Sequence, residues 1–217
     1  MPRRFVSERR ADPYYRAAQR EGLRSRAAFK LAHVADHFHL LRPGARVLDL
    51  GAAPGGWSVV ASERVGARGE VVAVDPRPIE PIPRVRVVRG RVGDATLRER
   101  LGPEPFDVVI SDMSPRISGA YGTDHARSVG LVRDAFHLAC EVLRPKGAFV
   151  AKVFDGDMVA DLEREIATAF ASVRRTKPPA SREPSSELYL VGLGFRGLRG
   201  HSGPLERGAP PPPASAI

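Results

Sequence analysis

Short apolar runs alternate with longer amphipathic stretches along most of this chain. Val47 to Leu50, Val71 to Val74, Val85 to Val88, Val108 to Ile110 and Ala148 to Phe154 are compact, largely valine-rich and flanked by turn formers or charge, a pattern that predicts strands. Between them, apolar residues recur at helical spacing. Ala28, Leu31, Ala32, Ala35 and Phe38 predict a helix from about Ser25 to Leu41, stopped by Pro43 and Gly44. Trp57 to Val65 and Ala95 to Leu101 predict two more. Leu131, Ala135, Leu138, Ala139 and Val142 predict a long helix from about Ser128 to Leu143, closed by Pro145, Lys146 and Gly147. Asp157 is placed to cap a further helix reaching about Phe170. Ser172 to Thr176 and Glu187 to Gly192 can pair as a terminal hairpin. Strands alternating with helices predict an α/β fold, a mostly parallel sheet with helices on both faces.

The pattern fades at both ends, which divides the chain into three parts. Residues 1–24 read as a charged, basic arm, residues 25–197 as one folded domain, and residues 198–217 as a Gly-, Arg- and Pro-rich tail, extended or disordered, that includes Pro210 to Pro213. No apolar run approaches the roughly 20 residues that cross a bilayer, and the basic start has no apolar stretch behind it, so neither a membrane span nor a signal peptide is expected. The single cysteine, Cys140, allows no internal disulfide and sits among apolar neighbours, as an inert core thiol would. Cytoplasmic residence is the expectation. The net charge of +9 changes the picture further. It favours a polyanionic partner held through phosphate contacts, although an arginine-rich composition also simply raises solubility.

The candidate chemistry concentrates after the first predicted strand, in Asp49-Leu50-Gly51-Ala52-Ala53-Pro54-Gly55-Gly56-Trp57-Ser58. Small residues at a strand-to-helix turn let a ligand approach the backbone, and the carboxyl end of a strand is where open α/β sheets bind cofactors. The spacing is neither the dinucleotide pattern nor a P-loop. It suits S-adenosylmethionine, which disfavours a dinucleotide-dependent oxidoreductase. Asp75 ends the second strand, where an acid typically holds ribose hydroxyls, and Asp112 ends the fourth.

With that turn, five pieces make a pattern: Gly22 to Leu31, the Asp49 to Ser58 turn, Ser111-Asp112-Met113-Ser114-Pro115, Lys152-Val153-Phe154, and Ser185-Ser186-Glu187-Leu188-Tyr189. In this order they resemble the FtsJ/RrmJ family of ribosomal RNA ribose 2′-O-methyltransferases, over about Asp12 to Gly194. The resemblance implies a Rossmann-like methyltransferase fold, with a seven-stranded sheet whose last strand is antiparallel. It implies S-adenosylmethionine as cofactor, a uridine ribose in large-subunit ribosomal RNA as target, and the large ribosomal subunit as partner. Carried over by residue, it implies a catalytic tetrad of Lys30, Asp112, Lys152 and Glu187. It places Gly51, Gly55, Gly56 and Trp57 at the methionine end of the cofactor and Asp75 at the adenosine end.

Methyl transfer from a sulfonium to oxygen is an in-line displacement that rewards positioning. A ribose hydroxyl must also lose its proton, and a lysine can take it when its environment favours the neutral amine. On this reading Lys152 is the base, Asp112 orients it, and Lys30 and Glu187 align lysine and ribose. Two positions depart from the family. Arg91 stands where an acid usually contacts the adenine amino group and cannot accept a hydrogen bond, so either Asp94 takes over through a shifted loop or backbone groups hold the adenine. Arg116 replaces a common asparagine and is suited to an RNA phosphate. His33, His37 and His39 lack the companions of a zinc set, so no metal is expected. The same chemistry on transfer RNA or a messenger cap, and a non-catalytic RNA-binding module, are the competing readings.

Overall fold

A computed structural model describes residues 27–179 and 186–197. The basic arm, the Pro-rich tail, and Ser185 with the residues before Ala27 in the first family motif lie outside those residues. In chain order the elements are α1 (Ala27–Phe38), β1 (Arg46–Leu50), α2 (Gly56–Val65), β2 (Glu70–Asp75), β3 (Val85–Arg89), α3 (Leu97–Leu101), β4 (Phe106–Ser111), α4 (Tyr121–Val142), β5 (Leu143–Phe154), α5 (Val159–Ala167), β6 (Phe170–Thr176) and β7 (Glu187–Phe195).

The strands form one sheet in the order β3-β2-β1-β4-β5-β7-β6. Pairs from β3 through β5 are parallel, whereas β7 lies antiparallel to both β5 and β6. The expected seven-stranded Rossmann-like sheet is therefore present, and the terminal hairpin supplies its reversed strand. Strand side chains alternate between faces, and that alternation divides the core in two. Val47, Val71, Val108, Ile110, Val150, Tyr189 and Val191 pack with α1 and α2 on one face. Leu48, Leu50, Val72, Val109, Phe149, Ala151, Leu188 and Leu190 pack with α3, α4 and α5 on the other. Phe136, Phe149 and Phe170 meet there with ring centroids 6.1 to 6.4 Å apart.

Three element readings change. The long helix begins at Tyr121, not near Ser128, because the Asp124 carboxylate accepts from Ser118 N and Oγ and from Gly119 N, which fixes the chain before it. Its buried stripe runs through Val132 and Phe136, while Leu131 is only partly buried. Pro145, Lys146 and Gly147 do not follow a helix end directly; they interrupt β5, where Lys146 has φ 68° and the pairing with β4 shifts register. The cap of α5 is Met158 and not Asp157, whose side chain is 93% exposed and lies 3.4 Å from His125 Nε2.

Candidate functional site

The pleat decides which side chains meet. In β5, Ala148, Val150 and Lys152 share the α1/α2 face, and so do Val191, Tyr189 and Glu187 of β7. Lys152 pairs with Tyr189 in register, and Phe154 pairs with Glu187. Because β7 is reversed, its first residue sits at the carboxyl end of the parallel strands. Asp112 follows β4 at that same end, its N–H donating to Leu50 O at 3.2 Å. Lys30 arrives from above, on the buried side of α1.

These four residues form one cluster. Lys30 donates to Glu187 Oε2. Lys152 Nζ lies 2.9 Å from Asp112 Oδ1 and 3.9 Å from Glu187 Oε1, and it also donates to Asp112 O at 3.1 Å. Both lysines are nearly enclosed, Lys30 at 4% and Lys152 at 7% exposure, whereas the two acids are about one-fifth exposed and line the opening. Two cations against two anions balance formally. That balance matters, because an unpaired charge at such depth costs several kcal/mol. Tyr189 Oη donates to Asp112 Oδ1 at 3.4 Å, which holds the carboxylate toward Lys152.

The Gly51–Gly56 turn borders this cluster. Gly51 has φ 75°, and a Cβ there would stand 2.6 Å from Met113 Cγ, so only glycine fits. Gly55 has φ 106° and provides no side-chain cap, which leaves the first N–H groups of α2 open to an anionic ligand group. The Trp57 indole is core: it is 2% exposed, packs on Tyr189 at 5.7 Å, and its Nε1 donates to Ala27 O at 2.8 Å. It thereby fastens the helix bearing Lys30 to the glycine turn.

Asp75 ends β2 as expected, but its oxygens are occupied. They accept from Ala53 N at 3.0 Å and from Arg77 N and Nε at 2.8 and 3.1 Å. These bonds hold the carboxyl below the usual carboxylate range, against the burial that opposes them. A ribose at this position has to displace the exposed Arg77 side chain. Asp94 folds back to accept from Arg91 N at 2.7 Å, and its loop reaches the crevice where Gly90 N–H donates to Asp75 O at 3.2 Å. The Asp94 loop and the end of β2 are thus neighbours.

Three residues of the site were not singled out from sequence. Asp49 is wholly buried, accepts from Ser58 Oγ at 2.6 Å, and its Oδ1 has no partner among the described residues. Burial pushes its carboxyl up to about 7. The signal was present as an acid inside an apolar strand. Tyr189 belonged to a family motif without a role. His125 is 2% exposed, its Nδ1 bonded to Phe154 O at 3.0 Å and its Nε2 accepting from Met158 N at 3.2 Å, and it braces the chain beyond Lys152. Nothing in its local spacing marked it. Cys140 is partly buried, its thiol pushed up to about 12 by burial. Among the described residues, no group of three His, Cys, Asp or Glu side chains is placed to hold a metal ion, and no helix is long and apolar enough to cross a membrane.

Residues 23–195 match the FtsJ-like methyltransferase family. A ribosomal RNA large subunit methyltransferase E of Paramagnetospirillum magneticum is 49% identical over 195 residues, covering 86% of this chain and 80% of the relative. One from Haloarcula marismortui is 50% identical over 193 residues, covering 83% and 73%. Among solved structures, a protein of Plasmodium falciparum described as a ribosomal RNA methyltransferase superposes with a TM-score of 0.72 at 28% identity, over 80% of this chain and 99% of the other.

Proposed function

Since the chain belongs to the FtsJ-like methyltransferase family, we propose that it methylates a ribose 2′-hydroxyl, that of a uridine, in large-subunit ribosomal RNA. S-adenosylmethionine supplies the electrophilic methyl group. The residues present fit that donor. Gly51 and Gly55 supply the left-handed backbone of the turn, the uncapped start of α2 suits a carboxylate, and Asp49 Oδ1 is left without a partner among the described residues. Asp75, with the Asp94 loop beside it, takes the adenosine end.

The observation that carries the reading is the cluster of Lys30, Asp112, Lys152 and Glu187 beside the glycine turn. Lys152 takes the proton of the 2′-hydroxyl as the oxygen attacks the methyl carbon and the carbon–sulfur bond breaks. Asp112, steadied by Tyr189, aims the amine. Glu187 spans the two lysines and, with Lys30, holds the ribose in line, which is positioning work of the kind that dominates such displacements. Ribosomal RNA as substrate is supported by the relatives and by the net charge of +9.

Large ribosomal subunits, naked ribosomal RNA and transfer RNA, each incubated with methyl-labelled cofactor and digested to nucleosides, test this. Label in 2′-O-methyluridine from the large-subunit RNA is expected. Label in a base, or only in transfer RNA, overturns it. Lys152→Ala should retain cofactor binding and lose at least about 100-fold in turnover; near-normal turnover would remove Lys152 from the role of base.

A further inference from the structure

Three large apolar side chains stand exposed among the described residues: Val87 at 39%, Ile117 at 65% and Tyr121 at 64%. Val87 is on the sheet-edge strand β3. Ile117 lies on the link between Asp112 and α4, and Tyr121 is the first residue of α4. We propose that Tyr121 is a stacking platform for an RNA base adjacent to the target nucleotide. The proposal rests on the reading of RNA as substrate.

Tyr121 is exposed without being loose. Its hydroxyl donates to Asp155 O at 2.6 Å, and its ring lies nearly parallel to the His125 imidazole, 6.1 Å between centroids and 10° between planes. His125 is itself buried and bonded at both ring nitrogens. The link that presents Tyr121 is stapled at Ser118 and Gly119 to the Asp124 carboxylate. The hydroxyl tether and the near-parallel imidazole beside it set the ring's orientation, and at 64% exposure most of the side chain stays open to solvent. A core role asks for burial, and a capping role asks only for the hydroxyl. A fixed, solvated aromatic face serves to receive another flat group at little cost in side-chain entropy.

Its place in the fold says which group. Asp155 joins Tyr121 to a cleft of about 250 Å³ whose walls also carry Glu187 and Lys177. Tyr121 is thus bonded to the wall of a cleft that one member of the four-residue cluster, Glu187, also lines. Lys152 is only 7% exposed, so a 2′-oxygen that reaches it belongs to a nucleotide drawn into the opening, as from a single-stranded or looped segment whose neighbouring base is left without a stacking partner. An aromatic face beside the opening replaces that partner. Arg116, on the link before α4, and Lys177, across the cleft, are both exposed and supply cations for the strand's phosphates. Stacking of this kind tolerates any base, so it positions the strand without reading its sequence.

The test uses the full-length protein with naked ribosomal RNA and with assembled large subunits. Tyr121→Leu, Tyr121→Phe and Tyr121→Trp are compared for RNA binding, for KM against kcat, and for cofactor affinity. Leucine should raise the RNA Kd and KM roughly ten-fold, with kcat and cofactor Kd within about two-fold, on both substrates. Phenylalanine and tryptophan should restore RNA affinity. A leucine variant indistinguishable from wild type overturns the proposal. So does a phenylalanine variant as weak as leucine, which would make the hydroxyl tether the whole role. A defect seen only with assembled subunits would assign this face to a protein partner and likewise overturn base stacking. Binding to RNA needs no methyl transfer, so a base-methylated product in the nucleoside analysis would sink the ribose reading while leaving this outcome separately readable.

Discussion

Asp49 is a carboxylic acid held where a carboxylate is costly. Burial raises it from the ordinary 3.8 to about 7, with help from the neighbouring charges of Asp112 and Asp75 and against the hydrogen bond from Ser58. The sign follows directly. Between those two values the folded state keeps a proton that the unfolded chain has released, so stability falls as pH rises from about 4 to about 7 and is flat beyond. The loss is on the order of a few kcal/mol. Asp49→Asn cannot ionise and should abolish that slope; urea titrations of both proteins between about pH 4.5 and 8 check it through the difference in their pH profiles. An unchanged slope in the variant would show that other groups set it. Legibility differed sharply among single residues. Lys152 and Asp112 could be placed because a strand's end fixes where its last side chains lie. Lys30 could not be told from a surface lysine by spacing alone, since its burial depends on a carboxylate that β7 brings from elsewhere. Asp49 and His125 passed unassigned for the same reason: their meaning lies in what surrounds them.

Among elements, the β1-to-α2 turn carries the tightest constraint. Gly51 combines a left-handed backbone with contact against Met113, the residue after Asp112. Gly44 shares the backbone, φ 83°, but has open space around it. Gly51→Ala and Gly44→Ala thus separate two effects. Each incurs about 1–2 kcal/mol of backbone strain, a fall in Tm of roughly 2–8 °C. Only Gly51→Ala should also displace Met113 and weaken cofactor binding, measurable by calorimetry; equal cofactor affinity in the two variants would contradict that. Strands were the most legible elements, since apolar runs ending in acids mark both their positions and their functional ends. Helix limits were less so. The start of α4 depends on Asp124 accepting bonds from Ser118 and Gly119, a local device with no apolar period. The irregular Pro145–Gly147 stretch reads as a stop but lies within β5, because pairing with β4 resumes on its far side.

At the scale of the molecule, the net charge of +9 suits the RNA partner proposed above. The arginines of the N-terminal arm, Arg3, Arg4, Arg9 and Arg10 among them, precede Lys30 in sequence. Reversing those charges should weaken RNA binding and flatten the plot of log affinity against log salt, by roughly one unit of slope for every phosphate the arm no longer neutralises. Filter binding across a salt series measures this, and an unaltered slope would exclude the arm from the RNA path. The fold class was readable because alternating strand and helix patterns leave few topologies. The reversal of β7 was not readable from periodicity; the family resemblance implied it. That reversal brings together side chains 157 positions apart, Lys30 and Glu187. During synthesis Lys30, Asp112 and Lys152 leave the ribosome well before Glu187 does. Until β7 has threaded between β5 and β6, Lys30 has no Glu187 to pair with and the four-residue cluster is incomplete. A half-made polypeptide thereby lacks the four-residue cluster that the finished chain assembles.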